Sequence, residues 1–240
     1  MKKKLLLFLT LFTMSCAIAA QLQRNWSTDI STIGSSLRPF NAITTDAVGN
    51  TYVMGSVYGS QAIDFDPSSN SYSFHDQGQE YNAYLAKYNV NGALVFAKPL
   101  NLEVYNSSNI TIQYYIRTNS NNEVVICFPS AANTYNITTD LDPSTTNVVP
   151  VPTEGNLVFA TYDANGNYIS SFSCINGPNL SDYSNYRVND FEIDNNDDFV
   201  ITGFLNSGTF GRDFEFDPST GSDIINATGV GSRVGFIAKY

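Results

Sequence analysis

One five-residue phrase occurs three times. It reads Asp64-Phe65-Asp66-Pro67-Ser68, then Asp140-Leu141-Asp142-Pro143-Ser144, then Glu215-Phe216-Asp217-Pro218-Ser219. The prolines are 76 and 75 residues apart. A phrase that returns at a fixed period marks a repeat architecture, built from copies of one supersecondary unit. The fold must therefore be one that a unit of about 75 residues can tile.

Each unit carries further matching runs, named A to D in chain order. Run A ends in Ile43-Thr44-Thr45-Asp46, Ile116-Arg117-Thr118-Asn119 or Phe191-Glu192-Ile193-Asp194. Four turn-type residues follow. Run B is Thr51-Tyr52-Val53-Met54, Val124-Val125-Ile126-Cys127 or Phe199-Val200-Ile201-Thr202. After the Asp-Pro phrase comes run C: Tyr84 to Tyr88, Val158 to Tyr162, and Phe236 to Tyr240. Two units continue through Asn91-Gly92 or Asn165-Gly166 into run D, Leu94 to Lys98 or Tyr168 to Phe172. Asn-Gly between apolar runs predicts a hairpin with a type I′ turn, positive φ at both central residues. Val, Ile, Tyr, Phe and Thr suit a pleated, half-buried surface. The expectation is an all-β chain: a β-propeller, or an open arc of about three four-stranded blades, with repeats of about 75 residues. A β-sandwich is the structural alternative, since its strands also come at short intervals.

The order Thr-Asp-x-x-Gly-Asn-x-Tyr-Val-x-Gly over residues 45–55, then Asp-Phe-Asp-Pro, then Ala-Tyr-Leu-Ala-Lys-Tyr-Asn-x-Asn-Gly over 83–92, resembles the secreted bacterial β-propeller repeat (SBBP repeat) family. The resemblance spans residues 41–240. Unit two departs from it at Asn119, Thr161 and Phe128, where units one and three keep Asp, Lys and Gly. The resemblance implies a propeller fold and secretion, and no common catalytic residues.

Residues 1–20 read as a secretory signal peptide: Lys2, Lys3 and Lys4, an apolar stretch from Leu5 to Met14, then Ala17-Ile18-Ala19-Ala20 for cleavage. A lipoprotein reading instead uses Cys16. The stretch is too short for a transmembrane helix, which takes about 20 residues. Residues 21–240 form the repeat domain, with units at about 41–100, 114–176 and 189–240. Losing the three leader lysines takes the net charge from −10 to −13. That balance argues against nucleic acid and anionic lipid, which select basic patches.

The only histidine is His75, within the first insert. A serine triad would have to use it, and a histidine zinc site needs more ligands than the chain has. Cys127 in run B and Cys174 after run D have run C between them. Two spacings of ~4.8 Å separate their backbones by about 9–10 Å, whereas a disulfide wants less than ~7 Å between Cα atoms. Two buried free thiols are expected.

The Asp-Pro phrase has two readings. In the structural one, Phe65, Leu141 and Phe216 anchor an insert, while Asp66, Asp142 and Asp217 open a proline turn. In the other, Asp64, Asp66, Asp140, Asp142, Glu215 and Asp217 are calcium candidates, because paired carboxylates are hard oxygen ligands. No other cofactor is indicated. The acidic run Asp194 to Asp198 reads as a polar hairpin turn.

The expected function is a secreted, extracellular or cell-surface scaffold that binds an unknown protein or glycan without catalysis. The B–C connections run about 27 to 31 residues and share one end of the units. Insertions confined to one face of a repeat array often build a binding surface. Two alternatives stand beside it. One is a carbohydrate-active enzyme, a lyase or glycosidase, which needs only a carboxylate pair. The other is a structural surface-layer component. Closed propellers have four to eight blades, so three units predict an open arc, incomplete at the C-terminus, with further blades in a longer chain. Asn25 to Thr28 resembles a run D ahead of unit one.

Overall fold

The computed structural model describes residues 25–27, 31–32, 37–58, 62–68, 70–75, 81–104, 114–129, 140–144, 146–152, 157–175, 186–207, 212–217, 219, 222–229 and 231–240. Residues 1–24, which include the expected signal peptide and Cys16, lie outside them. The strands are β1 (Ser31–Thr32), β2 (Leu37–Thr45), β3 (Thr51–Tyr58), β4 (Ala62–Asp64), β5 (Ser73–His75), β6 (Tyr81–Tyr88), β7 (Leu94–Val104), β8 (Tyr115–Thr118), β9 (Val124–Pro129), β10 (Leu157–Tyr162), β11 (Tyr168–Cys174), β12 (Tyr186–Ile193), β13 (Phe199–Asn206), β14 (Arg212–Glu215), β15 (Ile224–Ala227) and β16 (Arg233–Lys239). No helix occurs among the described residues.

Runs A to D of unit one form the antiparallel sheet β2-β3-β6-β7, and those of unit two form β8-β9-β10-β11. Unit three forms β12-β13-β16, and β16 is paired on one side only among the described residues. Strands follow chain order across each sheet, so tight hairpins account for every neighbour except B and C. The inserts between B and C have structure of their own. In unit one, β4 pairs with β5 and with β1. In unit three β14 pairs with β15. In unit two a single bridge joins Asp140 to Pro150. From the sequence these inserts are expected as connections. The short alternation Ile63-Asp64-Phe65 was the available strand signal, but three residues are too few to separate from a loop.

Five hairpin turns share one design. Asp46, Asn89, Asn119, Asp163 and Asp194 each place Oδ1 on the N–H groups two and four residues later, at 2.8–3.2 Å. This Asx bonding satisfies N–H groups that the tight chain reversal turns away from the ladder. The fourth residue of each turn has positive φ: Gly49 at 87°, Gly92 at 81°, Asn122 at 59°, Gly166 at 74° and Asp197 at 64°. The expected type I′ turn is thereby corrected. Asn91 and Asn165 keep negative φ, and only the glycine is left-handed. A three-residue loop ending in a left-handed residue meets the strand twist equally well. Asparagine and aspartate tolerate that region, which lets units two and three dispense with glycine.

Unit two's phenylalanine has a packing reason. Gly55 faces Tyr84, Phe128 faces Val158, and Gly203 faces Phe236 across the B–C ladder. A Cβ on Gly55 would come 2.6 Å from the Tyr84 hydroxyl, and one on Gly203 would come 2.1 Å from the Arg187 carbonyl oxygen and 2.7 Å from the Phe236 ring. Units one and three put the bulk on run C, and unit two puts it on run B. Volume across the pair is conserved, as close packing demands.

The sheets meet at two seams. In the first, Tyr52, Met54, Leu85 and Phe96 of unit one join Ile116, Ile126, Val158 and Tyr162 of unit two in one buried cluster. In the second, Val125, Cys127 and Phe159 of unit two join Phe191, Ile201 and Phe236 of unit three. Alternate residues of the unit-two strands thus serve opposite seams, the period of two expected of a strand buried on both faces. The first strands of successive units also touch, β2 against β8 and β8 against β12. Cys127 and Cys174 are buried free thiols, as expected, with β10 between their strands.

Candidate functional site

The three Asp-Pro loops have one geometry. Asp64 Oδ1 accepts the N–H groups of Asp66 (3.0 Å) and Tyr72 (2.9 Å). Asp140 Oδ1 accepts those of Asp142 (3.0 Å) and Val149 (2.8 Å). Glu215 Oε1 accepts those of Asp217 (3.0 Å) and Asp223 (2.6 Å). The second carboxylate bridges the proline: Asp66, Asp142 and Asp217 accept the N–H of Ser68, Ser144 and Ser219 at 2.7–2.9 Å. The residue between the two acids is buried in every unit, Phe65, Leu141 and Phe216 alike. Phe65 meets the Tyr84 ring edge-on at 4.8 Å, and Phe216 meets Phe236 at 5.0 Å. The phrase is thus a staple. Its apolar centre anchors the insert to the sheet, and its acids hold the loop backbone.

These bonds favour the charged form of Asp64, Asp142 and Asp217. The Tyr72 and Asp66 N–H groups hold the Asp64 carboxyl below its ordinary value, and the Ser144 N–H does the same for Asp142. The Ser219 side chain and N–H lower Asp217. Of the six calcium candidates, Asp66, Asp142 and Asp217 lie in the loops, Asp64 and Glu215 end β4 and β14, and Asp140 bridges to Pro150. The two acids of each unit sit two residues apart, and one oxygen of each is committed to backbone N–H groups. His75 lies in β5, within the unit-one insert.

The units differ where run C meets the loop. Tyr88 donates its hydroxyl to Phe65 O (3.0 Å), and Tyr162 to Leu141 O (2.9 Å). Tyr240 occupies the matching place in unit three, but its ring turns to Phe159 and Phe172, at 6.2 and 5.9 Å. Its buried hydroxyl reaches no carbonyl and lies beside the Cys174 thiol. Burial pushes that thiol up to about 12. Beside Tyr240 an open hollow of about 340 Å³ is lined by Phe216, Asp217, Asp223, Ile225 and residues 237–240. It runs along the edge of β16 that no described strand pairs, where β7 and β11 lie in the other two sheets. Sequence reading did not find this hollow, because it depends on the rotation of a tyrosine that all three units share.

Residues 25–27 are not a strand, which corrects that part of the expected run D. Trp26 nevertheless behaves like run D of a preceding unit. It lies over Gly92, where an added Cβ would come 2.8 Å from its ring, just as Phe96 of unit one lies over Gly166 of unit two at 2.8 Å.

No protein-family model matches the chain, and no curated protein matches it. The repeat must be read from its own residues. No helix among the described residues is long and apolar enough to cross a membrane.

Proposed function

We propose that the three units are blades of a secreted β-propeller of the SBBP-repeat kind, and that the protein is a non-enzymatic binding scaffold. Two features support the propeller reading. The innermost runs of successive units adjoin, β2 to β8 to β12. The seam bonds recur at nearly the repeat period: Asn122 Oδ1 accepts the Ala47 N–H (3.0 Å), and Asp197 Oδ1 accepts the Ser120 N–H (2.8 Å). A sandwich would set two sheets face to face and has no reason for such equivalence.

One observation carries the binding reading. Every unit spends its longest connection on a stapled insert, and antiparallel order puts all three inserts at the same end of their sheets. A rigid scaffold with built loops on one face is how repeat folds present a binding surface. The acids that recur in the inserts are engaged by backbone N–H groups and need no metal ion for that role. The partner is an extracellular protein or glycan. A glycan and extracellular-matrix array, read alongside a reducing-sugar release assay, tests the reading. Retention of a ligand without product supports it, and sugar release by the purified chain would overturn it.

A further inference from the structure

We infer that Arg212 is an anion site on the third insert, and that it takes the carboxylate of a uronic acid residue in an otherwise uncharged extracellular glycan. The site deepens the scaffold reading and rests on it for the class of ligand.

Arg212 opens β14, which pairs with β15 in the unit-three insert. Its Nη1 is buried and has no hydrogen-bond partner among the described residues. Lys87, Arg117 and Lys239 each have a carboxylate partner, and Arg212 has none among the described residues. Two hydroxyls share its condition, those of Ser56 and Tyr240, but both are neutral. A buried donor without an acceptor forfeits its hydration, and the loss is larger for a charged group. Arginine cannot escape by giving up its proton, as a buried lysine can. Native chains rarely leave such a group unanswered, and a bound anion answers it.

The repeat does not account for this residue. Gln61, Ile137 and Arg212 stand at one place, three residues ahead of the first staple acid. Units one and two thus build their staples with no cation there. The acids of the insert do not account for it either. Strand alternation puts Asp213 and Glu215 on one face of β14, and Arg212 and Phe214 on the other. Phe214 is buried, and so is Ala227, which lies opposite Arg212 in register. Glu215 commits Oε1 to the Asp217 and Asp223 N–H groups. The arginine therefore shares the apolar face of the ribbon, turned from the nearest carboxylates. It is only partly buried, so a ligand can reach it. Apolar surroundings strengthen an ion pair made there.

Fork geometry and charge select the ligand. The planar guanidinium matches a carboxylate with two parallel hydrogen bonds. Arg212 is the only cation among the described residues of the insert, beside Asp213, Glu215, Asp217 and Asp223. A ligand with closely spaced negative charges, such as a sulfated chain or an acidic peptide tract, would be repelled by those four. A uronic acid residue flanked by neutral sugars brings one carboxylate and otherwise hydroxyls. Ser219, Asn226 and Thr228 are exposed in the same insert, and their hydroxyl and amide groups can both donate to and accept from sugar hydroxyls.

Nitrogen-15 spectra of the arginine Nε–H groups test this on the purified chain. The titrants are sodium glucuronate, glucose and a tetraglutamate peptide, each taken to about 50 mM at matched ionic strength. Glucuronate should move the Arg212 signal with a millimolar dissociation constant, and glucose should leave it in place. Arg212→Gln removes the charge, and Arg212→Lys keeps the charge without the fork. Each should weaken glucuronate binding, followed by backbone amide shifts, by about 10-fold or more. Arg212→Met should raise the urea midpoint of the free protein, because it removes an unanswered charge. An unmoved Arg212 signal overturns the inference, as do equal binding by Arg212→Gln and tighter binding of the peptide than of glucuronate. A lower midpoint for Arg212→Met also overturns it, by showing that the guanidinium already has a partner within the chain. If the array retains other ligands while glucuronate fails, this site alone is wrong. An array that retains nothing overturns the scaffold reading itself.

Discussion

The two seams have the same topology and different chemistry. At the first, lysines of unit one reach turn carbonyls of unit two: Lys87 to Ala164 O, and Lys98 to Gly166 O (3.0 Å) and Asn167 Oδ1 (2.9 Å). Lys87 also pairs with Asp46 at 3.5 Å, both side chains nearly buried. At the second seam the corresponding residues of unit two are Thr161 and Phe172. There the contact is a stack of rings. Phe159 lies 4.8 Å from Phe172, 5.4 Å from Phe191 and 5.4 Å from Phe199. The lesson is that the repeat conserves where sheets touch, and leaves open what holds them. Turn carbonyls with charged donors do the work in one place, and aromatic area does it in the other.

Phe159→Ala breaks the comparison hardest. It empties the centre of the ring stack, and a loss of about 3–5 kcal/mol is expected. Urea unfolding measures it, and a loss below about 1 kcal/mol would show that the stack does not hold the second seam. Lys87→Met keeps the aliphatic stem and removes the charge at the first seam. It leaves Asp46 without its buried cation and Ala164 O without a donor, so about 2 kcal/mol should be lost. The same assay reads it.

A finer comparison sets unit two against unit three. Tyr162→Phe removes the hydroxyl that donates to the Leu141 carbonyl, and should cost about 1–2 kcal/mol. Tyr240→Phe deprives no carbonyl of a donor, and should shift stability by less than about 0.5 kcal/mol. Equal losses would contradict the rotation of Tyr240 away from its loop.

The acid response is the most diffuse effect. Asp64, Asp142, Asp194, Asp197 and Asp217 are all held below the ordinary 3.8. A carboxyl whose folded value is depressed adds stability that is fully present above its unfolded value. That stability is lost as pH falls through the folded value. Stability should therefore be level from about pH 6 to 5 and decline below about pH 3.8. Urea midpoints across that range give the answer, and a flat profile down to pH 3 would mean the turn carboxylates contribute nothing.

Much of this was legible beforehand because it is local. The sheet order followed from Asn-Gly, the four-residue turns and the apolar runs, all of which act over four or five residues. The staple followed from Asp-x-Asp-Pro, since Phe65, Leu141 and Phe216 alternate with acids. The free thiols followed from strand spacing. What escaped depends on contacts distant in sequence. Asn122 looks like any turn residue until its amide is found on Ala47, and Thr161 looks like a lost lysine until Phe172 is seen beside Phe199. The turn type escaped for a local reason. Asn-Gly names two residues, but Asn89 and Asp163 upstream set the loop length.

The central claim is that the three sheets stand side by side around one axis, with their first strands innermost. A crystal structure of the purified chain tests it most directly. The expected result is β2, β8 and β12 in that order about the axis, with Asn122 Oδ1 on the Ala47 N–H and Asp197 Oδ1 on the Ser120 N–H. Two sheets packed face to face, with β2 and β8 apart, would contradict it.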